Sequence, residues 1–175
     1  MRGIVLKISP AREHDLYVVC YTQESGKHTY QARGALRSYS LQSRHLDVMN
    51  EVSFTTVETK SMPLMASAHC LRSFRRIKSS LPALATAYFF IELFDRLVYD
   101  NDSDGRLWRF LTETLAEIDQ NTQDNTSWRS MLHGRYRTMM SVMGYSGDTD
   151  AQELSHSEFS SLVFFDAIVP RGHKT

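Results

Sequence analysis

Oxygen ligands are gathered most tightly at Asp100-Asn101-Asp102-Ser103-Asp104-Gly105. Oxygen-bearing side chains at alternate positions, ahead of a glycine for the sharp turn, make up the first half of a calcium loop. The second half is not there: the twelfth position is Leu111 rather than a bidentate glutamate, and Glu113 comes two residues late. The same residues suit an Asx-rich connection that caps the next helix and places negative charge at its positive end. Glu13-His14-Asp15 gathers three titratable groups, but neighbours on a strand or turn do not converge on one point, and no further ligand stands at metal spacing. There is no Gly-x-Ser-x-Gly elbow, no Gly-x-Gly-x-x-Gly and no phosphate-binding P-loop. The expectation is no catalytic residue, no metal and no cofactor: not an enzyme.

Binding chemistry is better represented. Lys27, Arg33, Arg37 and Arg44 lie among Tyr17, Tyr21, Tyr30 and Tyr39. A cationic groove interleaved with aromatic rings is what a nucleic-acid single strand needs, since charge tracks phosphates and rings stack on bases. The alternative for each tyrosine is a place in the core, with the arginines a solvated face. The charge balance points the same way. Residues 1–80 carry twelve Lys/Arg against six Asp/Glu, and residues 81–175 carry eight against fourteen. Either the first half meets an anion, or the two halves attract one another.

A second candidate site lies near the C-terminal end. Trp128, Met131, Leu132, Tyr136, Met139, Met140 and Met143 form an apolar stripe at helical spacing. Arg129, His133 and Arg137 follow at four-residue intervals beside it. Methionines next to cations could accept an acidic peptide with an apolar end, and Met140 with Arg129, His133 and Arg137 is the set expected to do so. The other reading is a core stripe with a neutralising edge.

The elements that must position these residues change character along the chain. Residues 2–8, 16–22, 27–33, 50–58 and 65–74 read as strands, rich in β-branched and aromatic residues and separated by turn residues. A longer connection, 34–49, follows the third. Such a pattern fits a five-stranded OB-type barrel, with an SH3-like barrel as competitor. From Ser79-Ser80-Leu81-Pro82 onward the periodicity is helical, over 83–99, 105–119, 128–143 and 157–168, with a loop at 120–127 and a frayed tail at 171–175. The expected class is α+β: an OB-fold domain at 1–78 and an α-helical domain at 79–175. Cys20 and Cys70 each sit in apolar runs and read as buried thiols. No stretch of eighteen apolar residues occurs, and the apolar run at 3–6 is too short for a signal peptide, so a cytosolic chain is expected.

The ordered set Gly3-Ile4-Val5-Leu6, Glu13-His14-Asp15, Thr22 and Gly26, then Ala32-Arg33-Gly34-Ala35, resembles the start of RecO, a family of bacterial recombination mediators. The likeness runs on through Tyr88 to Leu97 with its Glu92-Leu93 pair, through Leu107-Trp108, and to Gly144-Tyr145. Arg12 stands where the family usually has glycine and Leu36 where it usually has arginine. Many members carry four zinc-binding cysteines after the Gly-Tyr, whereas here no cysteine follows Cys70. The resemblance implies a non-catalytic mediator that binds single-stranded DNA, and duplex DNA as a further candidate. It implies strand annealing and help in loading recombinase on strands coated by single-strand-binding protein. The implied partners are that protein's acidic tail and a RecR-type protein, in the bacterial cytoplasm at the nucleoid. Two alternatives stay open: an adaptor whose barrel meets protein rather than nucleic acid, and, more remotely, a helical calcium-binding protein.

Overall fold

The structure, a computed structural model, describes residues 1–121, 125–145 and 159–169. Five strands, β1 (Arg2–Arg12), β2 (Asp15–Thr22), β3 (Gly26–Ala32), β4 (Glu51–Val57) and β5 (Leu64–Arg72), close into a barrel in the order β1-β2-β3-β5-β4. This is the expected OB-type barrel. Neighbouring strands are antiparallel except β3 and β5, which run parallel and meet at one pair, Gln31 with Leu64. β1 is longer than the sequence suggests. It passes Ser9-Pro10 and reaches Arg12, with a register shift between Pro10 and Arg12. A bulge is one of the few places where a strand tolerates a residue without an N–H.

Alternation decides what fills the barrel. Leu16, Val18 and Cys20 of β2, Tyr30 and Ala32 of β3, Val52 and Phe54 of β4, and Met65 and Ala68 of β5 form one buried cluster with Val5. Tyr30 meets Phe54 edge to face at 5.0 Å, and burial pushes its phenol up to about 12. Burial likewise raises the Cys20 thiol, so this free cysteine is a small apolar filler. Ala35 and Leu46, both from the connection between β3 and β4, complete the cluster.

Glu51 is fully buried at the start of β4. Its two carboxylate oxygens are met by the guanidiniums of Arg2 on β1 and Arg72 on β5. A charge at that depth is tolerable only when both oxygens are answered. The triad therefore ties together the strands on either side of β4.

By packing, the chain divides into two compact units, one comprising Met1–Ser73 and Phe94–Trp108, the other Phe74–Leu93 and Arg109 onward. A single cut after residue 78 does not provide for the return of Phe94–Trp108 to the barrel. Tyr21, on the outer face of β2, explains that return. Its ring packs on Phe94 at 5.4 Å and on Trp108 at 6.5 Å, and its hydroxyl donates to the Asp104 carbonyl at 3.2 Å. Asp100 adds an isolated parallel bridge to Lys27 of β3.

The second unit draws on α1 (Arg75–Ser79), α2 (Leu81–Leu97), α3 (Gly105–Gln120), α4 (Asn125–Val142) and α5 (Ser160–Ile168). The short α1 fills the gap between the strand expected over 65–74 and the helix expected from Ser79-Ser80-Leu81-Pro82 onward, and α4 begins a turn earlier than the periodicity suggests; residues 157–158 and the tail at 171–175 lie outside the described residues. Phe89 anchors this core, against Phe90 at 5.3 Å and Phe159 at 5.8 Å. Neither α1 nor α5 is capped by its own N-cap side chain. Asp119 of α3 accepts the Arg76 and Ile77 amides at 3.0 and 3.1 Å. Glu92 of α2 accepts the Ser160 and Ser161 amides at 3.3 and 2.8 Å, together with both serine hydroxyls. Burial works against the Glu92 charge, but the bonds from Ser161 and Ser160 prevail and hold its carboxyl below the usual range.

Gly26 tests the return of Phe94–Trp108 to the barrel. Its φ is +76°, and a Cβ there would sit 2.2 Å from the Asp102 carbonyl oxygen. Gly26→Ala is expected to lower unfolding free energy by about 2 kcal/mol or more, read by urea denaturation.

Candidate nucleic-acid interface

The tip of the β1–β2 hairpin and the turn after β3 are held together by Asp15. Its Oδ1 accepts the Gly34 N–H at 2.8 Å, and its Oδ2 accepts the Gln31 side-chain amide at 2.9 Å. The Leu36 N–H donates to the His14 carbonyl at 3.0 Å alongside. The Gly34 hydrogen bond leads in lowering the Asp15 carboxyl below its usual range; burial opposes it, while Gln31, Arg33 and Arg12 assist. Gly34 takes a φ of +66°, and the next turn closes with Arg37 N–H on the Gly34 carbonyl at 3.1 Å.

This joint gathers charge. Arg12 from the hairpin and Arg33 and Arg37 from the turn line a concavity of about 410 Å³ with Asp15 and Gly34. Among the described residues none of the three arginines is in an ion pair. Arg37 also donates to the Tyr39 hydroxyl at 2.8 Å, and Tyr39 is 75% exposed. Leu36 and Leu41 are exposed too, and so is Arg44 in a single 3-10 turn, Gln42–Arg44. The connection is fixed at its ends and bare between them. Ala35 and Leu46 reach into the barrel, Gln42 donates to the Met65 carbonyl at 3.2 Å, and His45 accepts the Cys70 N–H at 3.3 Å.

Of the residues expected from the sequence, Arg33, Arg37 and Tyr39 therefore lie together, with Arg44 further along the same exposed connection. Lys27 does not join them. It is buried, and its Nζ donates to the Asp95 carbonyl at 2.7 Å and lies 3.4 Å from Asp100. The chain needs that ammonium where the last turn of α2 leaves carbonyls unpaired. Tyr21 and Tyr30 are core residues as well, while Tyr17 is half-buried. Arg12 is the residue that sequence reasoning misses. In the sequence it stands out only as a departure from glycine, because Pro10 hides the continuation of β1 that carries it to the site.

The α4 stripe is also redistributed. Arg129 pairs with Asp166 at 2.7 Å, donates to the Val169 carbonyl and covers the Phe165 ring at 5.3 Å. It clamps α5 rather than facing solvent. Met139 and Met140 are buried, so neither offers an open slot. His133 is half-buried; burial chiefly, with the charges of Arg129 and Arg137, lowers its pKa against the pull of Asp166. Of the expected cations only Arg137 is exposed.

The calcium-like loop has other work. Asp104 accepts the Arg106 N–H at 2.7 Å and pairs with its guanidinium, so it caps α3, while Asp100 faces Lys27. No group of three or more His, Cys, Asp or Glu able to hold a metal occurs among the described residues. No helix among them is long and apolar enough to cross a membrane.

Residues 1–86 match the family described as recombination protein O, N-terminal. The chain is also 27% identical to the DNA repair protein RecO of Geobacter sulfurreducens over 90% of its own length and 63% of the relative's. It is 24% identical to the RecO of Bacillus mycoides, over 94% of its length and 64% of the relative's. The chain resembles RecO proteins over most of its length. It spans about half to just under two thirds of the length of the relatives it matches; the RecO of Roseiflexus, at 24% identity, is covered over 49% of its length. The segments that resemble RecO now have structural reasons. Asp15 holds Gly34, Gly26 gives room to Asp102, and in the Glu92-Leu93 pair the carboxylate caps α5 while Leu93 is fully buried.

This geometry has two measurable effects on stability. Asp15 is held charged in the folded state, so its contribution is present above the unfolded carboxyl pKa and is lost as pH falls through the lower folded value. Asp15→Asn is expected to be less stable than the native chain at pH 7, with the gap closing below pH of about 4; parallel melts across pH 2–7 check it. Arg129→Ala is expected to cost about 1–3 kcal/mol, by taking the guanidinium away from the Asp166 carboxylate, the Val169 carbonyl and the Phe165 ring. Chemical denaturation reads that loss.

Proposed function

We propose that this chain is a non-catalytic mediator of DNA repair and recombination, binding single-stranded DNA along the connection from Arg33 to Arg44. The observation that carries the reading is the cluster of arginines without ion pairs at the Asp15 joint, with Tyr39 exposed beside it. Guanidiniums answer phosphates and an exposed ring stacks on a base, a combination that binds strands with little regard to sequence. The curated relatives are DNA repair proteins by name, which supports the same role. Strand annealing, help in loading recombinase on strands coated by single-strand-binding protein, and engagement of duplex DNA belong to the proposal. Annealing breaks no covalent bond and asks for no catalytic group.

For the acidic tail of single-strand-binding protein, the candidate contact narrows to Arg137 of α4, with His133 on the same helix and the half-buried Met143 just past its end. A RecR-type protein is the second proposed partner.

Single-strand affinity is expected to fall on Arg33→Glu and further on adding Arg37→Glu. The slope of log affinity against log salt should become shallower by about 0.7 for each phosphate no longer engaged. Anisotropy titrations at several salt concentrations measure both; a folded double variant with unchanged affinity and slope removes these residues from the interface. Arg137→Glu should in turn weaken binding of a labelled acidic tail peptide at low salt, and equal binding by the variant moves that contact elsewhere.

A further inference from the structure

We propose that the concavity of Arg12, Arg33 and Arg37 is a subsite for a phosphate monoester, so that this chain distinguishes a strand ending in phosphate from one ending in hydroxyl. The inference rests on the proposed single-strand binding and deepens it.

The first argument is charge. Three guanidiniums against the one carboxylate of Asp15 leave two positive charges unanswered within the concavity. A phosphodiester inside a strand carries one negative charge, whereas a terminal monoester carries about −1.5 to −2 near pH 7. The site matches the monoester.

The second argument is shape. The guanidiniums come from two sides, Arg12 from the hairpin tip and Arg33 and Arg37 from the turn after β3, which Asp15 and the His14–Leu36 backbone bond lock together. A phosphodiester has two of its four oxygens esterified and passes such a hollow with one edge. A monoester presents three free oxygens, enough to engage arginines from both sides at once.

The third argument is the neighbour. Arg37 is shared with the exposed Tyr39 through the 2.8 Å bond to its hydroxyl, which sets a ring beside the anion subsite. Phosphate in the hollow and the adjoining base on that ring describe the last nucleotide of a strand. Asp15 serves the subsite as one of its lining residues. With both carboxylate oxygens engaged by Gly34 and Gln31, it orients the turn and does not neutralise the arginines through an ion pair.

The test is anisotropy with one labelled oligonucleotide in three forms: 5′-phosphate, 3′-phosphate, and hydroxyl at both ends, with the label placed internally. One phosphorylated form is expected to bind roughly five- to tenfold tighter than the hydroxyl form, and the arms show which end is read. In Arg12→Gln that ratio should collapse to about one, whatever the absolute affinity becomes. Inorganic phosphate should compete more strongly against the phosphorylated form than against the hydroxyl form. Equal binding of all three forms overturns the subsite and leaves single-strand binding standing. A preference that persists in both Arg12→Gln and Arg33→Gln places end recognition elsewhere and also overturns it. Absence of binding by every form removes the proposed function and the subsite together.

Discussion

A buried carboxylate is the constraint on which the barrel depends. Glu51 has no contact with water, and a charge in that position must be answered on every oxygen or the strand carrying it cannot stay where it is. Arg2 and Arg72 answer it from β1 and β5, so the first strand, the fourth and the end of the fifth are fixed against one another at one level. Hydrophobic burial supplies the drive to close the barrel, but it is indifferent to the position of any one strand along its neighbours. The ion triad is not, because a slip by one residue would point Glu51 away from both guanidiniums.

The same device recurs at lower stakes. Asp15 receives the amide that turns the chain after β3, Asp104 caps α3, Asp119 caps α1 and Glu92 caps α5. These carboxylates serve as acceptors for backbone groups that the local sequence leaves unsatisfied. Acidic residues that look in the sequence like ligands or acid–base groups are thereby committed to structure. The arginines at the Asp15 joint are left without such partners, which is how a chain of zero formal net charge presents a local cationic site.

Much of this is legible in the residues. Alternation in β2 and β4 and the glycine turn at 26 are enough for a five-stranded barrel, and the Ala32-Arg33-Gly34-Ala35 segment marks the turn that carries the candidate site. What escapes is set by contacts distant in sequence. Lys27 reads as a surface cation until Asp95 and Asp100 return to meet it. Tyr21 reads as a base-stacking candidate until Phe94 and Trp108 cover it. Arg12 is hidden behind a proline that usually ends a strand, and only the bulge keeps it in β1. Arg129 lies on a regular stripe with His133 and Arg137, and periodicity has no means of separating the residue that clamps α5 from the one that faces solvent.

The return of Phe94–Trp108 to β2 has a consequence for how the protein comes into being on the ribosome. Residues 1–72 contain every strand of the barrel, so it can close early, yet the outer face around Tyr21 is not fully covered until Phe94 and then Trp108 have emerged. Between the synthesis of Arg72 and that of Trp108, a ring destined for full burial is open to water and to any passing apolar surface. The nascent chain therefore passes through a stage in which its sheet is complete but this apolar face is still uncovered.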